Sequence, residues 1–149
     1  LGRDAFLLAS LGAVVTLIER NDKMHTLLQD GIKKAMNEGG EYLEIAQRMT
    51  LLHGDAKELL PTLSPEVVLV DPMHPPRNKS ALVKKEMRLI REIVGTDPDA
   101  RELMEVALNA ATSRVVLKWP LRADLMDGIR KPSHQITGKS TRYDVFVCN

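Results

Sequence analysis

The sequence lacks the features of a disulfide-bonded or membrane-spanning protein. Its single cysteine, Cys148, cannot form an internal disulfide. The longest uncharged stretch, residues 5–18, is shorter than the roughly 18 or more apolar residues that read as a membrane span. No cleavable signal sequence is visible. These absences predict a protein of the reducing cytoplasm that has no membrane partner.

Neither the net charge nor the potential metal ligands indicate a binding partner. The formal net charge is +1 and the pI about 8.1, so the overall charge gives no argument for nucleic acid. The four histidines and the cysteine form no cluster with metal-ligand spacing, and we expect no metal. Aromatic residues make up an unusually low 3% of the chain, whereas 44% hydrophobic and 28% charged residues are typical of globular proteins. A length of 149 residues predicts one domain, 1–149.

Predicted strands and helices alternate along the chain. Short apolar runs predict strands, and apolar residues at helical spacing predict the helices between them. The predicted strands are 13–18, 49–53, 67–70, 114–119, 134–137 and 143–147, and the main helices are 4–11, from about 22 to 39, 80–94 and 97–112. We expect Asp4 and either Asn21 or Asp22 to cap the first two helices. The order predicts an α/β fold whose mostly parallel sheet is flanked by helices and closed by an antiparallel hairpin.

Polar residues follow several of these strands, at the sheet edge where such folds bind ligands. Glu19 comes 17 positions after Gly2, close to the roughly 20-residue separation at which nucleotide-binding folds place an acid on ribose hydroxyls. A solvated carboxylate paired with Arg20 explains the same position equally well. Asp55 fits a helix cap, or an acceptor for an adenine amino group beside the Ala56 N–H.

Asp71 carries the strongest functional signal. Residues 67–76 read VVLVDPMHPP, so a buried strand runs directly into a carboxylate that three prolines follow. The prolines restrict the backbone, which suits a site whose acceptors must be held in place. A simple strand-terminating turn is the alternative, and we favour the functional interpretation.

These strand ends, taken in order, resemble those of class I methyltransferases that use S-adenosylmethionine (SAM). Residues 71–75, DPMHP, are similar to the [DNS]-P-P-[FYW] motif of enzymes that methylate exocyclic amino nitrogens. The segments LGRDAF, LIERN, VDPM and KSALVKKEMR are similar to the RsmJ family, bacterial enzymes that methylate N2 of a guanine in small-subunit ribosomal RNA. The resemblance covers essentially the whole chain. It implies that an N-terminal region and the first strand would precede Leu1.

The resemblance also implies residue roles. SAM would be the cofactor and S-adenosylhomocysteine the product, bound by Gly2, Arg3, Asp4, Glu19, Arg20, Asp55, Ala56 and Asp71. Arg3 and Asp4 would lie beside the methionine part of SAM. Asp71, Pro72 and His74 would be the catalytic group, with His74 where the wider motif has an aromatic ring that stacks on the target base.

A basic surface is predicted beside this group. Lys84, Arg88 and Arg91 recur on one face of the predicted helix 80–94, with Arg77 and Lys79 nearby. They would grip the phosphates of ribosomal RNA, free or in the subunit particle, while the target base is flipped out. A charged helix face is also commonly just the solvated one.

Two other functions remain open on the residues alone. One is a nicotinamide-dependent oxidoreductase on the same kind of sheet, which would not explain the Asp-Pro loop. The other is an RNA-binding module without catalysis. The cofactor that raises the melting temperature distinguishes a methyltransferase from an oxidoreductase, whereas RNA binding by a full-length chain that binds no cofactor would favour the RNA-binding module.

Overall fold

The computed structural model describes residues 2–72 and 98–148. The chain divides into two compact units, Leu1–Leu59 and Leu60–Asn149. Among the described residues, none of the helices is both long and apolar enough to cross a membrane. The prediction of a single domain over residues 1–149 stays a prediction.

The first unit places helices around a pair of parallel strands. Strand β1 pairs with β2 from Val15 opposite Met49 to Glu19 opposite His53. Ala9, Ile45 and Ala46 are its buried apolar residues. Its elements are α1 (Arg3–Ser10), β1 (Val15–Glu19), α2 (Asp22–Glu38), α3 (Gly40–Gln47), β2 (Met49–His53) and α4 (Ala56–Leu59).

The two ends of α1 depend on glycine. The prediction that Asp4 caps this helix is wrong, because the cap is Gly2 and Asp4 lies in the first turn. Gly2 has a left-handed φ of 67°, and a Cβ atom there would lie 2.7 Å from Leu28 Cδ2. At the other end, the Gly12 and Ala13 N–H groups donate to the Ala9 and Leu8 carbonyls, both at 3.1 Å. This pattern is the glycine-terminated helix end that the sequence predicts.

Helix α2 is capped by Asn21, one of the two predicted caps. Its side-chain oxygen accepts from the Met24 N–H at 3.0 Å. Helix α2 stops at Gly39, as predicted, but a further helix, α3, begins at Gly40. The sequence pattern did not reveal α3, which is eight residues long and starts on a glycine. Its burial of Ile45 and Ala46 outweighs that weak local preference for a helix.

The second unit contains a four-stranded mixed sheet in the order β3-β4-β6-β5. Strands β3 and β4 are parallel, whereas β6 is antiparallel to both β4 and β5. The predicted hairpin is confirmed, and its second strand lies inside the sheet. The elements are a 3₁₀ turn (Leu60–Thr62), β3 (Val67–Val70), α5 (Pro98–Ala110), β4 (Arg114–Pro120), β5 (His134–Thr137) and β6 (Thr141–Val147).

Alternate residues of β4 form the core of the second unit. Val115, Leu117 and Trp119 are at most 1% exposed and share one face of the strand. Met104 and Ala107 of α5 are fully buried in the same unit. The intervening residues of β4, which include Lys118, therefore point to the opposite face.

Candidate active site

The carboxyl ends of β1 and β2 hold Glu19 in a defined position. The Gly54 N–H donates to the Glu19 carbonyl at 3.1 Å, which joins the two strand ends. The Glu19 carboxylate accepts from the Asn21 N–H at 3.0 Å. The side chain is half-buried, and this hydrogen bond fixes it at the sheet edge where the sequence predicts a ribose-binding acid.

Asp55 lies at the same edge, two residues beyond β2. Its carboxylate accepts from the Lys57 N–H at 2.9 Å, and its carbonyl accepts from the Leu59 N–H at 3.0 Å. The predicted cap of α4 is therefore confirmed. Ala56 is the first residue of that helix, so its N–H lies outside the intrahelical hydrogen-bond ladder. The role of Asp55 toward a ligand stays a prediction.

The beginning of α1 lies beside β1. A Cβ atom on Gly2 would be 3.8 Å from Leu17 Cδ2, two residues before Glu19. Arg3 and Asp4 follow in the first turn of the helix, where the N–H groups lack intrahelical acceptors. The first unit thus supplies polar groups from α1, β1 and the start of α4 around its pair of parallel strands.

His25 and His53 form a pair at this edge that the sequence did not reveal. The rings of His25 and His53 stack with centroids 4.5 Å apart. His53 Nε2 lies 2.9 Å from Asp22 Oδ1. These contacts tie the start of α2 to the end of β2, and so steady the short connection that follows Glu19. The parallel register of β1 and β2 places His53 opposite Glu19, and this register is visible only in the structure.

Asp71 follows β3 in the second unit, at the carboxyl end of a parallel strand as predicted. Its Oδ2 lies 3.9 Å from Lys118 Nζ of β4. The pairing of Val70 with Leu117 explains this contact, since the next step along both strands brings Asp71 opposite Lys118. The Asp71 side chain is 49% exposed, and Pro72 is half-buried. Lys118 was missed because a single lysine in RVVLKWP reads as an ordinary strand residue.

The remaining predicted site residues are His74 and the basic set Arg77, Lys79, Lys84, Arg88 and Arg91. All of them lie outside the described residues, as does the predicted helix 80–94. Their roles stay predictions. Within residues 2–72 and 98–148, no three His, Cys, Asp or Glu side chains are grouped so as to hold a metal ion.

Comparison with known proteins places the chain in a family. The family described as "Putative SAM-dependent methyltransferase" matches residues 1–148. The ribosomal RNA small subunit methyltransferase J of Brucella anthropi is 76% identical over 147 residues, which are 99% of this chain and 72% of that protein. The chain belongs to this methyltransferase family. SAM is therefore its cofactor, as the family resemblance implies.

Solved structures confirm the class I methyltransferase fold. A SAM-dependent methyltransferase from Neisseria gonorrhoeae is 37% identical, with a TM-score of 0.78. The match covers 98% of this chain and 57% of the Neisseria chain, so the chain spans little more than half of that protein. A glycopeptide N-methyltransferase solved with SAM shares the fold, at 16% identity and a TM-score of 0.53 over 98% of this chain and 54% of that one.

Proposed function

We propose that the protein transfers a methyl group from SAM to the exocyclic N2 of a guanine in small-subunit ribosomal RNA. The observation that carries this proposal is the half-exposed Asp71 carboxylate at the carboxyl end of β3. Its support is the relative from Brucella anthropi, 76% identical, which is a ribosomal RNA methyltransferase. Residues 71–75 resemble the motif of enzymes that methylate exocyclic amino nitrogens, which supports N2 as the methylated atom.

Glu19 and Asp55 fit the adenosine part of SAM. Each carboxylate accepts one backbone N–H, from Asn21 and Lys57 respectively. An ionised carboxylate has two oxygens and about four lone-pair sites, so each can accept further hydrogen bonds in the same orientation. Glu19, with Arg20 beside it, would bind the ribose hydroxyls, and Asp55 with the Ala56 N–H would bind adenine.

The start of α1 would bind the methionine part. Gly2, in its left-handed conformation, leads into the first turn, where Arg3 and Asp4 lie. Backbone N–H groups of a helix start favour a carboxylate ligand. Arg3 supplies a cation for the same group, and Asp4 an acceptor for the amino group.

Asp71 would orient the nucleophile. Bound SAM supplies a methyl group already activated on a sulfonium. The lone pair of guanine N2 is delocalised into the ring, so the protein must hold the amino group in a reactive orientation. Acceptors at Asp71 take up the amino hydrogens, and Pro72 restricts the backbone that carries them. Orientation of this kind is worth up to about 7 to 11 kcal/mol.

His74 and the basic residues complete the proposed substrate contacts. The His74 ring would stack on the flipped guanine, although imidazole offers less area than the aromatic ring of the wider motif. The five basic residues Arg77, Lys79, Lys84, Arg88 and Arg91 would bind RNA phosphates. Such contacts predict binding that weakens as salt concentration rises.

Thermal unfolding and methyl transfer together test this function. For the full-length protein, we expect SAM to raise the melting temperature and a nicotinamide cofactor to leave it unchanged, because only a ligand that binds the folded state stabilises it. Labelled methyl from SAM should appear on guanine N2 of undermethylated small-subunit RNA. Parallel assays with free RNA and subunit particles identify the preferred substrate. RNA binding without transfer would favour the non-catalytic alternative instead.

Substitution of Glu19 by glutamine tests the ribose contact. The amide can still accept from the Asn21 N–H, whereas the charge that strengthens hydrogen bonds to ribose is lost. A hydrogen bond to a charged group contributes about 1.5 to 3 kcal/mol, so we expect the Kd for SAM to rise about 10- to 100-fold, measured by calorimetric titration.

The matched control is Glu44→Gln, which changes an exposed carboxylate on α3. It should bind SAM like the unchanged protein. If both variants bound SAM with equal affinity, Glu19 would not be part of the SAM-binding site.

A further inference from the structure

Lys118 is placed to contact the same base as Asp71. Its neighbours Leu117 and Trp119 are 0% and 1% exposed on the core face, so strand alternation turns Lys118 to the other face. Its side chain is 28% exposed, and its Nζ lies 3.9 Å from Asp71 Oδ2. A cation and an anion therefore lie side by side where β3 ends, near the carboxyl end of the parallel strand β4.

The separation of the two groups suits a shared ligand. A direct hydrogen bond between an ammonium and a carboxylate would be about 2.7 to 2.9 Å long, clearly shorter than the 3.9 Å found here. Both groups are partly exposed. An ionised carboxylate has about four acceptor sites and an ammonium has three donors, so a base at this strand end can meet an acceptor and a donor in addition to the contacts that Asp71 and Lys118 already make.

The donor and acceptor pattern selects among bases. A carboxylate only accepts hydrogen bonds, and an ammonium only donates them. Guanine offers amino hydrogens at N2 and an acceptor at O6, with the N1 hydrogen between them. Adenine carries an amino group where guanine has O6, so it would place a donor against the ammonium.

We propose that Lys118 donates a hydrogen bond to O6 of the target guanine while Asp71 accepts from its N2 amino group. This assignment rests on the proposed function and makes Lys118 a residue that determines base specificity. It predicts discrimination against 2,6-diaminopurine, which keeps the amino group at C2 but replaces O6 with a second amino group.

The test compares two RNA substrates with the full-length protein. Each contains the segment that the unchanged protein methylates, with either guanosine or 2,6-diaminopurine riboside at the methylated position. We expect the unchanged protein to prefer guanosine by roughly 10- to 100-fold in kcat/KM, the usual discrimination of a good base contact. Lys118→Met should lose most of the guanosine activity and little of the diaminopurine activity. The ratio should then approach one.

Two controls separate recognition from folding. Lys118→Arg keeps donors at this position and should preserve the preference for guanosine. Lys139→Met, in the exposed turn between β5 and β6, should change neither rate. The Kd for SAM should be the same for all variants.

Each contrary result has a distinct meaning. If Lys118→Met lowered both rates equally, the preference would be unchanged and Lys118 would not read O6. If the full-length protein methylated no guanine of small-subunit RNA, the proposed function itself would fail, and this assignment with it. If it methylated both RNAs equally, the function would stand and the O6 contact would be overturned.

Discussion

Replacing Asp71 by alanine is expected to reduce kcat for methyl transfer about 100-fold or more, since even a small misplacement of reacting groups can cost about that factor. The variant lacks the carboxylate proposed to orient the amino nitrogen, whereas most of the proposed SAM contacts belong to other residues. Single-turnover rates with saturating SAM and RNA measure the effect. The Kd for SAM, measured separately, should change much less than the rate.

Glu66→Ala is the matched control for Asp71→Ala. Glu66 is an exposed carboxylate just before the amino end of the same strand, β3. Its removal should leave the rate within about twofold, because surface changes away from special features shift energies by only about 0.5 kcal/mol. Full activity of Asp71→Ala with normal SAM affinity would show that Asp71 does not orient the base.

The largest expected effect on stability comes from Arg142→Met. Arg142 is 6% exposed and Asp144 is 1% exposed, and Arg142 Nε donates to Asp144 Oδ1 at 3.0 Å. Loss of the guanidinium leaves a buried carboxylate without its cation, which typically costs about 3 to 5 kcal/mol. For a chain of this size we expect the melting temperature to fall by about 10 °C or more.

Two further variants identify the cause of that loss. The double variant Arg142→Met, Asp144→Leu removes both charges and should recover part of the stability, since a buried pair is often replaceable by apolar residues. Arg114→Met, at the exposed start of β4, should leave the melting temperature nearly unchanged. If Arg142→Met behaved like Arg114→Met, the buried pair would contribute little.

The sequence predicted those helices and strands that are marked by a few neighbouring residues. Strands β2 and β3 were predicted with the bounds that the structure shows, because each is a short apolar run next to a turn residue. The Asn21 cap and the closing hairpin were likewise found. Helix α3 was missed, since a glycine pair reads as an end and a helix of eight residues depends on packing.

The residues of the candidate site likewise fall into those that the sequence predicted and those that it did not. Glu19, Asp55 and Asp71 were correctly predicted at strand ends because a strand end is visible in the sequence alone. Lys118 and His53 were not, because their importance depends on which residue of another strand lies opposite them. Register between strands distant in sequence is set by packing, which no local pattern shows.

The position of β6 inside the sheet sets an order for assembly during translation. Arg142 of this strand donates hydrogen bonds to the carbonyls of Leu121 and Ala123, just after β4. Because β6 follows β3, β4 and β5 in the chain, the ribosome must synthesise it before those carbonyls acquire their partner. Strand β4, which carries Lys118, therefore has one unpaired edge until residues 141–147 have been synthesised and pair with it.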